Sequence, residues 1–206
     1  MSPEVRRFPL TFRSLDRTDG ATLVKTLFST GKPEFSFSDL SESLSFGGIG
    51  TAAIQLASVT GNPVFVTASS LEKVTACTNL GADLAINYRK HDFVEKVLSY
   101  TNSNGVDVIM DIVAGSYIER NIKILKSKGR LVVISTLGGV RAEIDLGQLM
   151  RLRARIIGSV LRSRSMLEKI EIKQRFMDLF WPHVVSGRIL PVIDSIYPVD
   201  QAMLAH

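Results

Sequence analysis

The chain has 206 residues, 45% of them hydrophobic and 22% charged, which is enough to bury one substantial core. Its single cysteine, Cys77, excludes an internal disulfide and a multi-thiolate zinc site and suits a reducing compartment. The net charge of +5 is carried by dispersed basic residues, which argues against a nucleic-acid surface, and no apolar run approaches the ~20 residues that cross a bilayer.

His91, His183 and His206 have no metal-ligand spacing, so no metal site is expected. Residues 1–20 lack the apolar centre of a secretory signal. Arg6, Arg7, Arg13 and Arg17 hint at an organelle leader, but Glu4, Asp16 and Asp19 oppose it, and a cytoplasmic location is the expectation.

The first informative stretch is Phe46-Gly47-Gly48-Ile49-Gly50, which opens into the apolar run Thr51-Ala52-Ala53-Ile54-Gln55-Leu56. Glycines before a helix let the backbone approach a pyrophosphate, and the helix start supplies N–H groups with partial positive charge. Full G-x-G-x-x-G spacing would need a glycine at position 45, where the chain has Ser45.

Beyond the glycines, short apolar runs alternate with helical patterns, which predicts parallel strands joined by helical crossovers. Residues 63–68 read as a buried strand, and Ser69-x-x-Glu72 as a capping box for a helix with Leu71, Val74, Cys77 and Leu80 inward and Gly81 at its end. Residues 84–88 are a third strand candidate. Asp92 caps a helix containing Phe93, Val97 and Leu98, and residues 106–113 follow as an apolar strand.

Ser116-x-x-Glu119 begins the next helix, with Ile118, Ile122 and Leu125 inward and Gly129 at its end. Residues 131–135 form a strong strand signal, followed by the Leu137-Gly138-Gly139 turn, a short helix over 146–152 and a last strand over 156–161. A long helix is predicted over 165–185, with Leu167, Ile170, Phe176, Leu179 and Phe180 as a core stripe. One strand before the glycine turn brings the total to six. The expected fold is α/β, a doubly wound six-stranded parallel sheet of the Rossmann type.

The nucleotide is argued from the end of the second strand, where an NAD site wants an acid for the ribose 2′-hydroxyl. This chain offers Ala68, Ser69 and Ser70, with Lys73 one turn into the helix and Arg89 and Lys90 after the neighbouring strand. Hydroxyls and cations suit a 2′-phosphate where a carboxylate would repel it, so NADPH is expected over NADH. Ser69, as a helix cap, would satisfy backbone donors whether or not a ligand binds.

Gly-Ile-Gly-Thr-Ala-Ala-Ile-Gln-Leu-Ala (48–57), Val-Thr-Ala-Ser-Ser (66–70), Leu-Gly-Ala-Asp (80–83), Ile-Asn-Tyr (86–88) and Leu-Arg-Ser-Arg (161–164) together resemble the zinc-independent quinone oxidoreductases. These belong to the medium-chain dehydrogenase/reductase superfamily, and the likeness is greatest to the p53-inducible NADPH quinone oxidoreductase group. The resemblance runs over residues 47–206 and implies NADPH-dependent hydride transfer to quinones or related enones. It implies that Gly48 and Ile49 face the pyrophosphate and that Ser70, Lys73 and Tyr88 surround the 2′-phosphate. It further implies that Val113, Gly115, Leu137 and Gly138 border the cofactor, that Leu161, Arg162 and Ser163 lie by the nicotinamide, and that subunits pair as a homodimer through the sixth strand.

Members of this family carry a barrel-like catalytic domain before the nucleotide-binding domain, whereas about 45 residues precede the glycines here. The expected organisation is an atypical segment 1–45 foreign to the fold, a dinucleotide-binding domain 46–164, and a C-terminal helix with a truncated return, 165–206. Residues 33–45 should supply the first strand, yet they include Glu34, Asp39, Glu42 and five serines. Burying such groups without partners costs ~1–3 kcal/mol apiece.

No Tyr-x-x-x-Lys of a short-chain dehydrogenase is present, because none of Tyr88, Tyr100, Tyr117 and Tyr197 has lysine four positions later. The missing acid after the second strand also opposes a methyltransferase. No acid–base pair or activated nucleophile is visible, and no catalytic residue is nominated. The alternative to a reductase is an inactive nucleotide-binding or dimerisation module. The expected partner is a small quinone or enone, with neither nucleic acid nor membrane.

Overall fold

The computed structural model describes residues 48–193 and 196–204, together with the backbone of residues 25–28. Strand β1 (Lys25–Phe28) comes first. Helix α1 (Gly48–Val59), strand β2 (Val64–Ala68), helix α2 (Leu71–Asn79) and strand β3 (Leu84–Asn87) follow. Helix α3 (Phe93–Tyr100), strand β4 (Val106–Asp111), helix α4 (Tyr117–Lys123) and strand β5 (Leu125–Val133) make the second half of the sheet with helix α5 (Leu146–Leu152) and strand β6 (Arg155–Gly158). Helices α6 (Met166–Leu179) and α7 (Trp181–Val185) come next, with a short 3-10 segment over Val199–Leu204.

The six strands lie in the order β3-β2-β1-β4-β5-β6. The pairs β2–β3, β4–β5 and β5–β6 are parallel, as the crossover alternation predicts. The central strand departs from expectation. β1 sits between β2 and β4 but runs antiparallel to both, with Lys25 beside Thr67 and Phe28 beside Val64 and Val108. The sheet is therefore mixed, and its middle member comes from residues 25–28. The expected source, residues 33–45, lies outside the described residues, as do Phe46 and Gly47.

Each face of the sheet buries its own cluster, because successive strand residues point to opposite sides. Val64, Val66, Val108, Met110 and Val132 pack with Ala53, Ile54, Ala57 and Cys77 of α1 and α2. Phe65, Ile109 and Leu131 pack with Phe93, Val97, Ile118 and Ile122 of α3 and α4. Each fully buried Val, Leu, Ile, Phe or Met side chain among them stabilises the fold by roughly 1.5–3 kcal/mol relative to exposure.

Several local expectations need correction. Ser70, one residue later than the predicted Ser69, caps α2, its Oγ accepting from Lys73 N–H, and Leu71 is 72% exposed instead of inward. Ser116 caps α4 by position without a side-chain hydrogen bond, so the second capping box does not form. α4 ends at Lys123, and β5 begins at Leu125, ahead of its predicted start at Leu131. Lys128 at φ 64° makes the difference: the β4–β5 register jumps there, from Val106↔Leu125 to Val108↔Arg130.

The predicted helix over 165–185 is two helices broken at Phe180, with Pro182 in the first turn of the second. Its stripe is only partly core. Phe180 is buried against Leu56 and Ile189, with Phe176 packed on them, while Leu167, Ile170 and Leu179 are exposed.

Candidate functional site

From β2 onward, each strand-to-helix turn falls at one edge of the sheet, the carboxyl ends of β2 to β6. Helix α1 descends to Val59 and β2 rises from Val64, so Gly48 and Ile49 start α1 at that same edge. Both are half-buried, and Ile49 packs on the α1–α2 core. Because β1 is reversed, Phe28 lies where β2 and β4 begin, at the edge opposite Gly48.

At the end of β2, Ser69 and Ser70 are half-buried. Lys73 Nζ donates to Ser69 Oγ at 3.3 Å, and Ser70 Oγ accepts from Lys73 N–H at 3.3 Å. Burial, and secondly the Arg89 guanidinium, push the Lys73 ammonium below its ordinary pKa. The two cations therefore sense one another across the ends of β2 and β3. The residues that end β2 and enter α2, Ala68, Ser69 and Ser70, include no acid; Glu72 is the first and is exposed on α2. Tyr88 follows β3, its N–H donating to the Ala68 carbonyl oxygen at 3.1 Å and its ring packing on Ile112 and Val113.

The turns after β4 and β5 lie against each other. Val113 is buried, and its carbonyl oxygen accepts from Gly138 N–H at 2.7 Å. Leu137 N–H donates to the Ile112 carbonyl oxygen at 3.3 Å, while the Leu137 side chain is 46% exposed. Gly115 has φ 55°, and a Cβ there would collide with the Gly138 carbonyl oxygen. A Cβ on Gly138 would meet Val113 Cγ1 at 2.6 Å. Glycine is required at 115 by the close approach of two backbones and at 138 by the Val113 side chain beneath it.

After β6, Leu161 is half-buried and Arg162 and Ser163 are exposed. Lys169 Nζ donates to the Arg162 carbonyl oxygen at 3.1 Å. Arg164 reaches back to Ser159 Oγ at 3.3 Å and forward to Glu168 at 3.5 Å, while Ser165 and Glu168 form a reciprocal capping box at the start of α6.

Sequence reasoning passed over one pair at this edge. Asp111, fully buried at the end of β4, accepts on Oδ1 from Val113 N–H at 2.8 Å and Ala114 N–H at 3.2 Å. Its Oδ2 accepts from Asn121 Nδ2 at 2.6 Å. The available signal was an acid closing an otherwise apolar strand run. Among the described residues no group of three or more His, Cys, Asp or Glu side chains is placed to hold a metal, and no helix is long and apolar enough to cross a membrane.

Residues 48–179 match the family described as zinc-binding dehydrogenase. Quinone oxidoreductase of Rattus norvegicus is 29% identical over 213 aligned residues, spanning 100% of this chain and 62% of the relative. Quinone oxidoreductase of Homo sapiens is 28% identical over 78% of this chain and 47% of its own length, so the chain spans about half the length of the curated relatives it matches. Among solved structures, the Escherichia coli quinone oxidoreductase complexed with NADPH superimposes with a TM-score of 0.60 at 25% identity, over 75% of this chain and 46% of that one. An enoyl reductase domain of a polyketide synthase gives a TM-score of 0.58 at 27% identity, covering 73% of this chain and 82% of that domain. On this match, over more than half of its residues, and on a shared α/β nucleotide-binding architecture, the chain belongs to the zinc-binding dehydrogenase family, in the quinone oxidoreductase-like part of the medium-chain dehydrogenase/reductase superfamily.

Proposed function

We propose that this chain is the nucleotide-binding part of an NADPH-dependent oxidoreductase that passes hydride to a quinone or related enone. The observation that carries this reading is the end of β2, where Ser69, Ser70 and Lys73 are gathered with Arg89 close enough to perturb Lys73, while Glu72, the carboxylate that also acts on Lys73, is exposed on α2. A doubly charged phosphate gains from both the ammonium and the hydroxyl donors there, whereas the ribose hydroxyl of an unphosphorylated cofactor finds no acceptor carboxylate.

Each part of the carboxyl edge has a task in this reading. Gly48 and Ile49 present the start of α1 to the pyrophosphate. Ser70, Lys73 and Tyr88 hold the adenosine 2′-phosphate. Val113, Gly115, Leu137 and Gly138 form the wall along the cofactor, and Leu161, Arg162 and Ser163 border the nicotinamide. When bound, the cofactor supplies the hydride; the chain's residues orient it and exclude water from one face. Mixing the purified chain with NADPH and a simple quinone and following nicotinamide absorbance tests the reading: steady loss of absorbance supports turnover.

A second reading, an inactive nucleotide-binding or dimerisation module, is favoured by the reversed β1, which ends at the sheet edge opposite Gly48, whereas a dinucleotide fold turns tightly from its first strand into that helix. It gives no turnover in the same assay but a rise in melting temperature with NADPH. The edge strand β6, with Ile156 exposed, is the surface through which we place the homodimer, and the cytoplasm is the compartment that the single buried thiol suits.

A further inference from the structure

We infer that Asp111 is a positioning residue for the cofactor wall: its carboxylate holds the β4–α4 turn from inside, and Asn121 holds the carboxylate. The inference rests on the nucleotide reading above, because that reading makes residues 113–115 a wall.

The turn it grips is strained. Ala114 and Gly115 are consecutive left-handed residues, at φ 56° and 55°. The backbone that leads into them is tied on both sides. On the inner side Val113 and Ala114 N–H donate to Asp111 Oδ1; on the outer side the Val113 and Ile112 carbonyl oxygens accept from Gly138 and Leu137 N–H. Hydrogen bonds to a charged acceptor are about twice as strong as neutral ones, so the inner tie is the firmer.

A packing role alone does not explain the pair. Asp111 and Asn121 are both fully buried, and Asn121 Oδ1 has no hydrogen-bond partner among the described residues. An apolar pair would avoid that penalty and could not hold the two N–H groups. The unpartnered oxygen also fixes how substitutions should behave. D111N keeps an oxygen for the two N–H groups and turns an NH₂ toward Asn121, whose amide can rotate to present Oδ1. N121D sets two carboxylates face to face, and the double variant D111N/N121D restores a donor opposite an acceptor.

The test compares D111A, D111N, N121D and D111N/N121D as full chains. Two readouts are taken: amide hydrogen exchange at Val113 and Ala114 without ligand, and affinity for NADPH beside adenosine 2′,5′-bisphosphate, a probe confined to the adenosine end of the site, the end of β2 and the start of α1. The expected result is that D111A and N121D speed exchange at Val113 and Ala114 and weaken NADPH about tenfold while the bisphosphate is held as before. D111N and the double variant, which keep the accepting oxygen but not its charge, recover most of both. Unchanged exchange in D111A and N121D overturns the inference, and so does a uniform rise in exchange across the sheet with both ligands weakened in parallel, which marks a merely structural residue. If D111A does not fold, N121D against the double variant makes the same comparison. If the unaltered chain binds no NADPH, the nucleotide reading falls, and the exchange comparison alone still decides whether the carboxylate holds the turn.

Discussion

The side-chain amide of Gln55 bridges both backbone groups of Leu190: Nε2 donates to its carbonyl oxygen and Oε1 accepts from its N–H, each at 2.9 Å. Gln55 is buried on α1, and Leu190 lies 135 residues further on, beyond α7. A single side chain thus fastens the C-terminal segment to the helix that opens the candidate site. Ile189, the residue before it, buries itself against Leu56 and Phe180 beside this bridge.

Gln55→Ala should remove both bonds and leave the Leu190 groups to find water. The expected loss is about 1–3 kcal/mol in urea unfolding, with a melting temperature lowered by roughly 2–4 °C per kcal/mol in a domain of this size. Unchanged stability would mean that the bridge contributes nothing beyond the apolar contacts around it.

Two glycines with similar backbones should respond differently to alanine. Gly61, at φ 73°, has no atom within 4 Å of an added Cβ, so Gly61→Ala costs only the left-handed strain, about 1–2 kcal/mol. Gly115→Ala adds contact with the Gly138 carbonyl oxygen and must push the β4 and β5 turns apart, so its loss should exceed that of Gly61→Ala. Paired denaturation curves check the order; equal losses would contradict the close approach of the two turns.

Ser70 caps α2 and also stands among the proposed phosphate ligands, and Ser70→Asp separates the two roles. Aspartate is as good a cap as serine, so stability should hold within about 0.5 kcal/mol. Its carboxylate repels a 2′-phosphate and accepts from a ribose hydroxyl, so NADPH affinity should fall about tenfold while NADH affinity rises. Parallel titrations of the two cofactors read the outcome; loss of stability without any change in preference would reduce Ser70 to a cap.

Burial pushes the Cys77 thiol up to about 11, although the neighbouring Lys73 ammonium pulls the other way. The folded chain therefore holds this proton where the unfolded chain, nearer 9.0, releases it. For a raised pKa the stabilisation is complete below the unfolded value and is lost as pH rises toward the folded one. Unfolding free energy should thus decline between about pH 9 and 11, and Cys77→Ala should flatten that part of the curve. Native Cys77 should also react with a thiol reagent far more slowly at pH 8 than the urea-unfolded chain.

Much of the fold was legible because the sequence carried its own punctuation. Asp92 caps α3 as expected, accepting from Val94 N–H at 2.7 Å, and α5 spans the residues predicted for it. The start of β5 was not legible, since it depends on Lys128 taking a left-handed conformation that lysine does not advertise. The reversed β1 was hidden for a related reason: strand polarity is set by which neighbours pair, and Lys-Thr-Leu-Phe pairs equally well in either direction as a local sequence. The exposed side of α6 misled because helical spacing reports that a stripe exists, not what lies opposite it.

At the candidate site the same division holds. Ser70, Lys73, Tyr88, Val113, Gly115, Leu137 and Gly138 reach one edge because βα alternation delivers every strand-to-helix turn from β2 onward there. Asp111 was missed because a lone acid at the end of a strand has no spacing to announce its backbone partners.

Side-by-side titration of the full chain with NADPH and NADH, followed by calorimetry at one salt concentration, tests the central claim most directly. Saturable binding of NADPH at least about tenfold tighter than NADH, weakened by Lys73→Ala, is the expected result. Equal affinity for the two cofactors, or no heat with either, would contradict it.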